Sequence, residues 1–223
     1  MRISHKHRFV FLANPRTAST TIRNILDDYS DIKSRYITDI DRDFPYYHHI
    51  SAQELKKIFD LNGWDWFSYK RFCIVRNPFD RVVSLYHHKI QTSTQPDERR
   101  SRPYNLARKI KYKLLGDSKF ENYVKHLNPK KRLTTSLKEF LCDKDGNFLV
   151  DDVLMFENLG TELPEYLKQF GIKIEKEDIP HLNLSSGRNK YKEYYDPLTR
   201  KKVEEIYSYE IERFKYKFNT GKG

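Results

Sequence analysis

Two clusters of side chains in this sequence have the types and spacing of anion-binding groups. The first occupies residues 16–21 (RTASTT), where one arginine precedes four hydroxyl side chains. Hydroxyls donate hydrogen bonds and a guanidinium adds a fixed positive charge, so this cluster suits a phosphate or a sulfate. The second cluster pairs Arg76 with Ser84, which suits a phosphate monoester because the planar guanidinium binds two oxygens at once. Together they indicate recognition of a ligand with two anionic groups.

The first cluster lies where a strand is predicted to run into a helix. The apolar run at residues 9–13 ends at Asn14-Pro15, which is typical of a buried strand in a parallel sheet. Apolar side chains at helical spacing follow from Ile22 to Tyr29, so a helix begins within the hydroxyl cluster. Unpaired N–H groups and the positive end of the helix dipole then face the turn. The alternative is that the hydroxyls only cap a helix.

The second cluster follows a second predicted strand, at residues 71–75 (RFCIV). Arg76 stands at the carboxyl end of this strand, and Pro78 suits the first turn of a helix. Ser84 falls in the second turn of that helix, so its hydroxyl is expected to converge with the Arg76 guanidinium on one ligand group. Because open α/β sheets bind ligands at the carboxyl ends of their strands, we expect the two clusters to lie side by side. A further short strand is predicted at residues 35–38 (RYIT).

Two histidines, His48 and His49, supply the candidate bases. They precede Ser51, which is predicted to cap a helix with Glu54 completing a capping box, so both histidines are expected on a loop. Histidine has an unperturbed pKa of ~6.5, which suits a general base near neutral pH. The alternative is that each histidine is structural.

Composition narrows the classes of partner. Lys and Arg outnumber Asp and Glu by 42 to 31, which gives a formal net charge of +11 and favours polyanionic partners. Cys73 and Cys142 have neither paired nor metal-ligand spacing, so both are expected to be buried thiols. No apolar run reaches the ~18 residues of a membrane span, and no signal peptide is recognised. The expected location is cytoplasmic if the chain is full length and lumenal if an N-terminal anchor has been removed.

The segments NPRTASTT (residues 14–21) and RNPFDRVVSLY (residues 76–86) resemble the two nucleotide-binding elements of a known enzyme family. This family is the sulfotransferases that use 3′-phosphoadenosine 5′-phosphosulfate (PAPS), especially the carbohydrate branch that includes heparan sulfate 2-O-sulfotransferase. The resemblance implies an α/β fold of the P-loop NTPase-like type, with a central, mostly parallel sheet flanked by helices. It also implies PAPS as co-substrate, adenosine 3′,5′-bisphosphate (PAP) as product, and a hydroxyl-bearing acceptor, an acidic or neutral glycan.

The resemblance assigns roles by position. Arg76 and Ser84 would bind the 3′-phosphate, and His49 would be the catalytic base, because HHISAQEL (residues 48–55) resembles the histidine segment of the family. The adjacent His48 is the rival base. The family usually has lysine at the position of Arg16, so Arg16 is expected to stabilise charge on the leaving phosphate rather than donate a proton. The residues expected to line the phosphosulfate loop are Arg16, Thr17, Ala18, Ser19, Thr20 and Thr21.

Later segments extend the resemblance over most of the chain. Residues 153–159 (VLMFENL) resemble a later strand and turn of the family, and Ser186 and Arg188 are expected to contact the nucleotide from a loop. Residues 95–113 match least, and the sequence is polar and basic from residue 93 to residue 113. Residues 93–117 are expected to form a mobile basic insertion, which is either simply solvated or a lid that binds an acidic glycan.

Residues 1–223 are therefore predicted to form a single sulfotransferase domain that transfers a sulfuryl group in line, with a histidine base. No metal is expected, because a sulfuryl group carries less charge than a phosphoryl group and no Asp/Glu constellation proposes a site. A nucleotide or small-molecule kinase is the first alternative, but the first cluster lacks the GxxxxGK[ST] pattern. The second is a noncatalytic polyanion-binding module, which leaves the paired clusters unexplained. No nucleic-acid partner is expected, and the oligomeric state stays open.

Overall fold

The contacts within the chain group its residues into two units. The first unit combines residues 1–76 with 135–186, and the second combines residues 77–134 with 187–223. The prediction of a single domain stays a prediction. The computed structural model describes residues 1–96, 101–114, 119–179 and 188–218, of which 111–114 and 188–190 are described by their backbone alone.

The first unit contains the strands β1 (Arg2–Ser4), β2 (Phe9–Leu12), β3 (Ile32–Lys33), β4 (Lys70–Val75) and β5 (Asp152–Met155). They form one five-stranded sheet in the order β3-β1-β2-β4-β5. β2 pairs in parallel with β4, and β4 pairs in parallel with β5. β1 pairs in the antiparallel direction with both β2 and β3. The carboxyl ends of β2, β4 and β5 therefore lie at one edge of the sheet.

The α/β class with a central sheet flanked by helices is confirmed, and so are the strands predicted before the two clusters. The sheet is mixed rather than mostly parallel, because β1 and β3 add two antiparallel pairings that the sequence pattern did not predict. The strand predicted at residues 35–38 is wrong. Residues Ile37–Asp39 form a 3-10 turn instead, and Arg35 makes an isolated bridge with Tyr47.

Helices and short 3-10 turns connect the strands. The α-helices are α1 (Ser19–Ile25), α2 (Ala52–Leu61), α3 (Pro78–Thr94), α4 (Arg102–Leu114), α5 (Phe120–Lys125), α6 (Leu137–Leu141), α7 (Leu159–Leu167), α8 (Pro197–Ile206) and α9 (Ser208–Phe214). The 3-10 turns are Asp27–Tyr29, Ile37–Asp39, Trp66–Ser68, Phe156–Asn158, Lys168–Phe170, Lys176–Asp178 and Arg188–Tyr194. By the division above, α1, α2, α6 and α7 belong to the first unit and the other α-helices to the second.

The core of the first unit packs one face of the sheet against α1 and α7. Side chains alternate along a strand, so every second residue of β2 and β4 points to this face. The cluster includes Phe9, Phe11, Phe72, Ile74, Ile22, Leu159, Leu163 and Leu167, all buried. The intervening residues of β2 and β4 are buried as well. Burial on both faces explains why β2 and residues 72–75 of β4 form continuous apolar runs.

The second unit packs its helices around a separate aromatic and aliphatic core. Asn77 caps α3, because its side chain accepts a hydrogen bond from the Phe79 N–H at 3.1 Å. The core cluster includes Phe79, Val82, Tyr86, Phe120, Val124, Val203 and Tyr207. The predicted insertion at residues 93–117 contains the end of α3 and all of α4.

Cys73 and Cys142 are both buried thiols, as predicted. Within the part of the chain that the structure describes, no helix combines the length and apolar character that crossing a bilayer requires.

Candidate active site

The first cluster forms a tight turn between β2 and α1, which we call the anion loop (residues 14–21). Thr17 is fully buried, and its hydroxyl donates to the Asn14 carbonyl oxygen at 2.9 Å. The Asn14 side-chain amide donates to the Ile74 carbonyl oxygen on β4 at 3.2 Å. The anion loop is thereby tied both to itself and to the neighbouring strand.

Two residues of the anion loop have left-handed backbone conformations. Arg16 has a φ of 65° and Ala18 a φ of 57°, and Ala18 directly precedes Ser19, the first residue of α1. A left-handed residue beside a helical one forms a nest of N–H groups, which binds anions. Such conformations cost a non-glycine residue about 1–3 kcal/mol, so the surrounding hydrogen bonds must hold this shape. Because α1 has just seven residues, we assign the positive charge of the site to arginine side chains rather than to the helix dipole.

Arg76 follows β4 directly and reaches the anion loop. Its Nη1 donates to the Arg16 carbonyl oxygen at 3.1 Å, and its Cζ lies 4.3 Å from the centroid of the Phe156 ring. Desolvation, and then the positive charge of Arg76, lower the pKa of Arg16. The two guanidinium groups therefore repel each other at the carboxyl ends of β2 and β4, and an anion bound between them would relieve that repulsion. The side chains of the loop itself are exposed at Arg16 and Thr20, half-buried at Ala18 and Thr21, and buried at Thr17 and Ser19.

His49 lies at the end of β2, two residues before the cap of α2. The predicted capping box is present, because the Ser51 N–H donates to Glu54 Oε2 at 3.0 Å and the Glu54 N–H donates to Ser51 Oγ at 3.3 Å. His49 Nδ1 lies 2.7 Å from the Ala13 carbonyl oxygen. A carbonyl oxygen can only accept, so Nδ1 carries the proton of the neutral ring and Nε2 is its basic nitrogen.

His48 has a different environment. Its Nδ1 lies 2.8 Å from the Ser34 hydroxyl oxygen. Burial, and then the positive charge of Arg23, lower the pKa of His48 to about 3. An imidazole with so low a pKa takes up a proton poorly near neutral pH. Of the two candidate bases, His49 is therefore the better suited.

The environment of His48 also predicts a pH-dependent stability. His48 should bind a proton near its ordinary pKa of ~6.5 in the unfolded chain, but it stays neutral in the folded protein down to about pH 3. Between these values the unfolded state binds more protons, so the free energy of unfolding falls as the pH falls. Because His48 is half-buried, we expect its share to be below about 1 kcal/mol at about pH 5.5.

Urea unfolding at about pH 7.5 and about pH 5.5 checks this prediction. The loss of stability between the two pH values should be smaller in His48→Gln than in the unsubstituted protein. An equal loss in both proteins would contradict the assignment.

Arg23, on α1, is a cation that the sequence pattern did not single out. It is 8% exposed, its Nε donates to the Ser19 carbonyl oxygen at 3.2 Å, and its Nη2 donates to the Thr20 hydroxyl at 3.3 Å. Its Nη1 is buried and has no hydrogen-bond partner among the described residues. Burial, and then Arg2, lower the pKa of Arg23 to about 10. The sequence could have indicated Arg23, because a residue four positions after Ser19 in a helix lies on the same face as Ser19.

The remaining predicted contacts lie elsewhere in the chain. Ser84 is half-buried in the second turn of α3, in the second unit. Arg188 begins the 3-10 turn Arg188–Tyr194, but its side chain is outside the described part, and Ser186 lies outside the described residues altogether. In the first unit, the structure brings the anion loop, Arg76 and His49 to the carboxyl ends of β2 and β4. Across the four described ranges, no three His, Cys, Asp or Glu side chains are grouped so as to hold a metal ion.

Comparisons with known proteins identify the family of this chain. A family model described as "Sulfotransferase family" matches residues 1–217. A search of curated proteins found no match. Among solved structures, the chain is similar to mouse sulfotransferase SULT7A1 complexed with PAP, at 14% identity and a TM-score of 0.44, over 97% of this chain and 87% of that one. Because the family model matches nearly the whole length of this chain, the chain belongs to the sulfotransferase family.

Proposed function

We propose that this sulfotransferase transfers the sulfuryl group of PAPS to a hydroxyl group of a carbohydrate, with His49 as the base. The observation that carries the proposal is the hydrogen bond from Arg76 Nη1 to the Arg16 carbonyl oxygen, at 3.1 Å. It joins the two clusters, so one ligand with anionic groups at both ends can contact both. PAPS has this character, because it carries a 5′-phosphosulfate and a 3′-phosphate on one nucleoside.

On the donor side, the anion loop is proposed to hold the phosphosulfate and Arg76 the 3′-phosphate. The nest at Ala18, the exposed Thr20 hydroxyl and the Arg16 guanidinium supply donors and charge for the phosphosulfate. Arg76 supplies a planar fork, which the Phe156 ring supports from one side. Ser84, Ser186 and Arg188 are proposed as further nucleotide contacts, on the sequence resemblance alone.

On the acceptor side, His49 Nε2 is proposed to take the proton of the acceptor hydroxyl as its oxygen bonds to sulfur. The bond from sulfur to the leaving phosphate breaks in the same in-line displacement, and the electron pair stays on that phosphate. Arg16 stabilises this negative charge and keeps its own proton. The hydrogen bond from His49 Nδ1 to the Ala13 carbonyl oxygen fixes the ring orientation that this role needs.

A carbohydrate is proposed as the acceptor because the sequence resembles the carbohydrate branch of the family and has a strong positive charge. The formal net charge is +11, and the exposed cations of α4 include Arg102 and Lys109. Such a surface attracts acidic polymers and speeds their association. Sulfate transfer to a desulfated acidic glycan, compared with a neutral oligosaccharide and a simple phenol, tests this choice. Transfer to the phenol alone would contradict a carbohydrate acceptor.

The donor is tested by thermal stabilisation of the purified protein. PAP at 100 times its dissociation constant should add about 2.7 kcal/mol, which for a chain of this size raises the melting temperature by about 5–10 °C. ADP, which lacks the 3′-phosphate, should stabilise much less at the same concentration. Greater stabilisation by ATP with magnesium would favour a kinase, and no effect of any nucleotide would favour a polyanion-binding module.

A further inference from the structure

The second unit contains a cavity that the proposed function does not use. It has a volume of about 670 Å³ and is lined by residues of α3, of α5 and of the segment that follows α5. Small-molecule pockets usually span ~300–1,000 Å³, so the size fits one small ligand. None of the lining residues belongs to the anion loop, and neither His49 nor Arg76 is among them.

The wall of this cavity is largely apolar. Leu85 on α3 and Leu127 after α5 are buried, and Tyr123 on α5 is half-buried. Leu133, which also lines the cavity, is 41% exposed. Removing exposed apolar surface from water is favourable. A ligand with an apolar part would therefore be stabilised here by covering this surface.

Cations and the neutral polar residues Thr92, Asn128 and Thr134 complete the lining. Lys89, Lys131 and Arg132 are exposed residues of the same cavity, and His88 and His126 add two imidazoles. No Asp or Glu is found among the lining residues that the structure describes. A cavity lined by one sign of charge and by low-dielectric walls concentrates ligands of the opposite sign. The ligand that satisfies both features is negatively charged at one end and apolar at the other.

We propose that this cavity binds an amphiphilic monoanion, which is a carboxylate, sulfate or sulfonate attached to an apolar chain or ring. A purely polar polyanion, such as a sulfated sugar chain, would pair with the cations but leave the exposed side chain of Leu133 without an apolar partner. The inference is independent of the proposed function, because the cavity shares no residue with the proposed nucleotide site.

Calorimetric titration of decanoate into the full chain, without nucleotide, tests the proposal. Decanoate should bind with one-to-one stoichiometry and at least about tenfold more tightly than uncharged 1-decanol. Leu133→Ser should weaken decanoate binding about tenfold by removing apolar contact. The double variant Lys131→Gln with Arg132→Gln should weaken it about fivefold by removing two surface charges.

Matched controls come from α8, which does not line the cavity. Leu198 is 80% exposed, and Lys201 and Lys202 are exposed, so Leu198→Ser and the double variant Lys201→Gln with Lys202→Gln make the same chemical changes elsewhere. Both should bind decanoate as the unsubstituted protein does. Circular dichroism melting of every variant shows whether it is folded.

Four results would overturn the proposal. These are the absence of one-to-one decanoate binding, equal binding of 1-decanol, equal weakening by the α8 variants, and displacement of decanoate by a tighter-binding heparin octasaccharide. The last result would identify the cavity as a site for a polar polyanion.

Discussion

Replacing Arg76 with alanine should weaken PAP binding by about 30- to 1,000-fold, while ADP binding changes by less than about threefold. Hydrogen bonds between charged groups contribute about 1.5–3 kcal/mol each, and a guanidinium fork can make two to a phosphate. Because Arg76 is half-buried and water screens part of the interaction, we expect a loss of about 2–4 kcal/mol, below the full sum of two such bonds, which gives this fold-change. The loss should be specific to the 3′-phosphate, because ADP lacks it. Calorimetric titration of both nucleotides gives the two dissociation constants.

Two further variants separate the role of the Arg76 fork from that of its charge. Arg76→Lys keeps the charge without the planar fork, so its PAP affinity should lie between that of the unsubstituted protein and that of Arg76→Ala. Arg42 is exposed in the same unit, and Arg42→Ala removes one positive charge without touching the anion loop. If Arg42→Ala weakened PAP as much as Arg76→Ala, binding would depend on net charge alone. If Arg76→Ala weakened ADP equally, Arg76 would act by holding the anion loop at the Arg16 carbonyl oxygen.

The central strands and the anion loop could be predicted because their signals are local. β2 and residues 72–75 of β4 are buried on both faces, so each is a continuous apolar run in the sequence. β1 and β3 could not be predicted in this way, because they have three and two residues and their length is shorter than any periodic signal. β1 forms because its backbone pairs with β2, which follows it closely in sequence, and with β3, which is more distant in sequence.

The local sequence does not show which of the two histidines is better suited as a base. His48 and His49 are adjacent, so no spacing distinguishes them. The two histidines differ in their tertiary contacts. The Ala13 carbonyl oxygen accepts a hydrogen bond from His49, whereas burial and the positive charge of Arg23 lower the pKa of His48. Arg23 was not predicted for a related reason. A lone arginine in a helix is normally solvated, and the burial of Arg23 depends on the fold around it.

Replacing His49 with alanine should lower kcat by about 10²–10⁴-fold and leave the PAP dissociation constant unchanged. The reason is that Nε2, the proposed proton acceptor, belongs to a ring whose Nδ1 donates to the Ala13 carbonyl oxygen. The measurement is the initial rate of sulfate transfer from saturating PAPS to the acceptor found in the glycan comparison, together with calorimetric titration of PAP.

The chain offers a matched control in His7, whose Nδ1 also lies within hydrogen-bond distance of a backbone carbonyl oxygen, that of Phe170, at 2.9 Å. His7 precedes β2, at the end of the strand opposite Ala13, so His7→Ala removes the same kind of contact far from the anion loop. It should lower the melting temperature without lowering kcat. Full activity in His49→Ala would show that His49 is not the base. If activity were instead lost in His48→Asn, with PAP binding retained, the base would be His48 despite its low pKa.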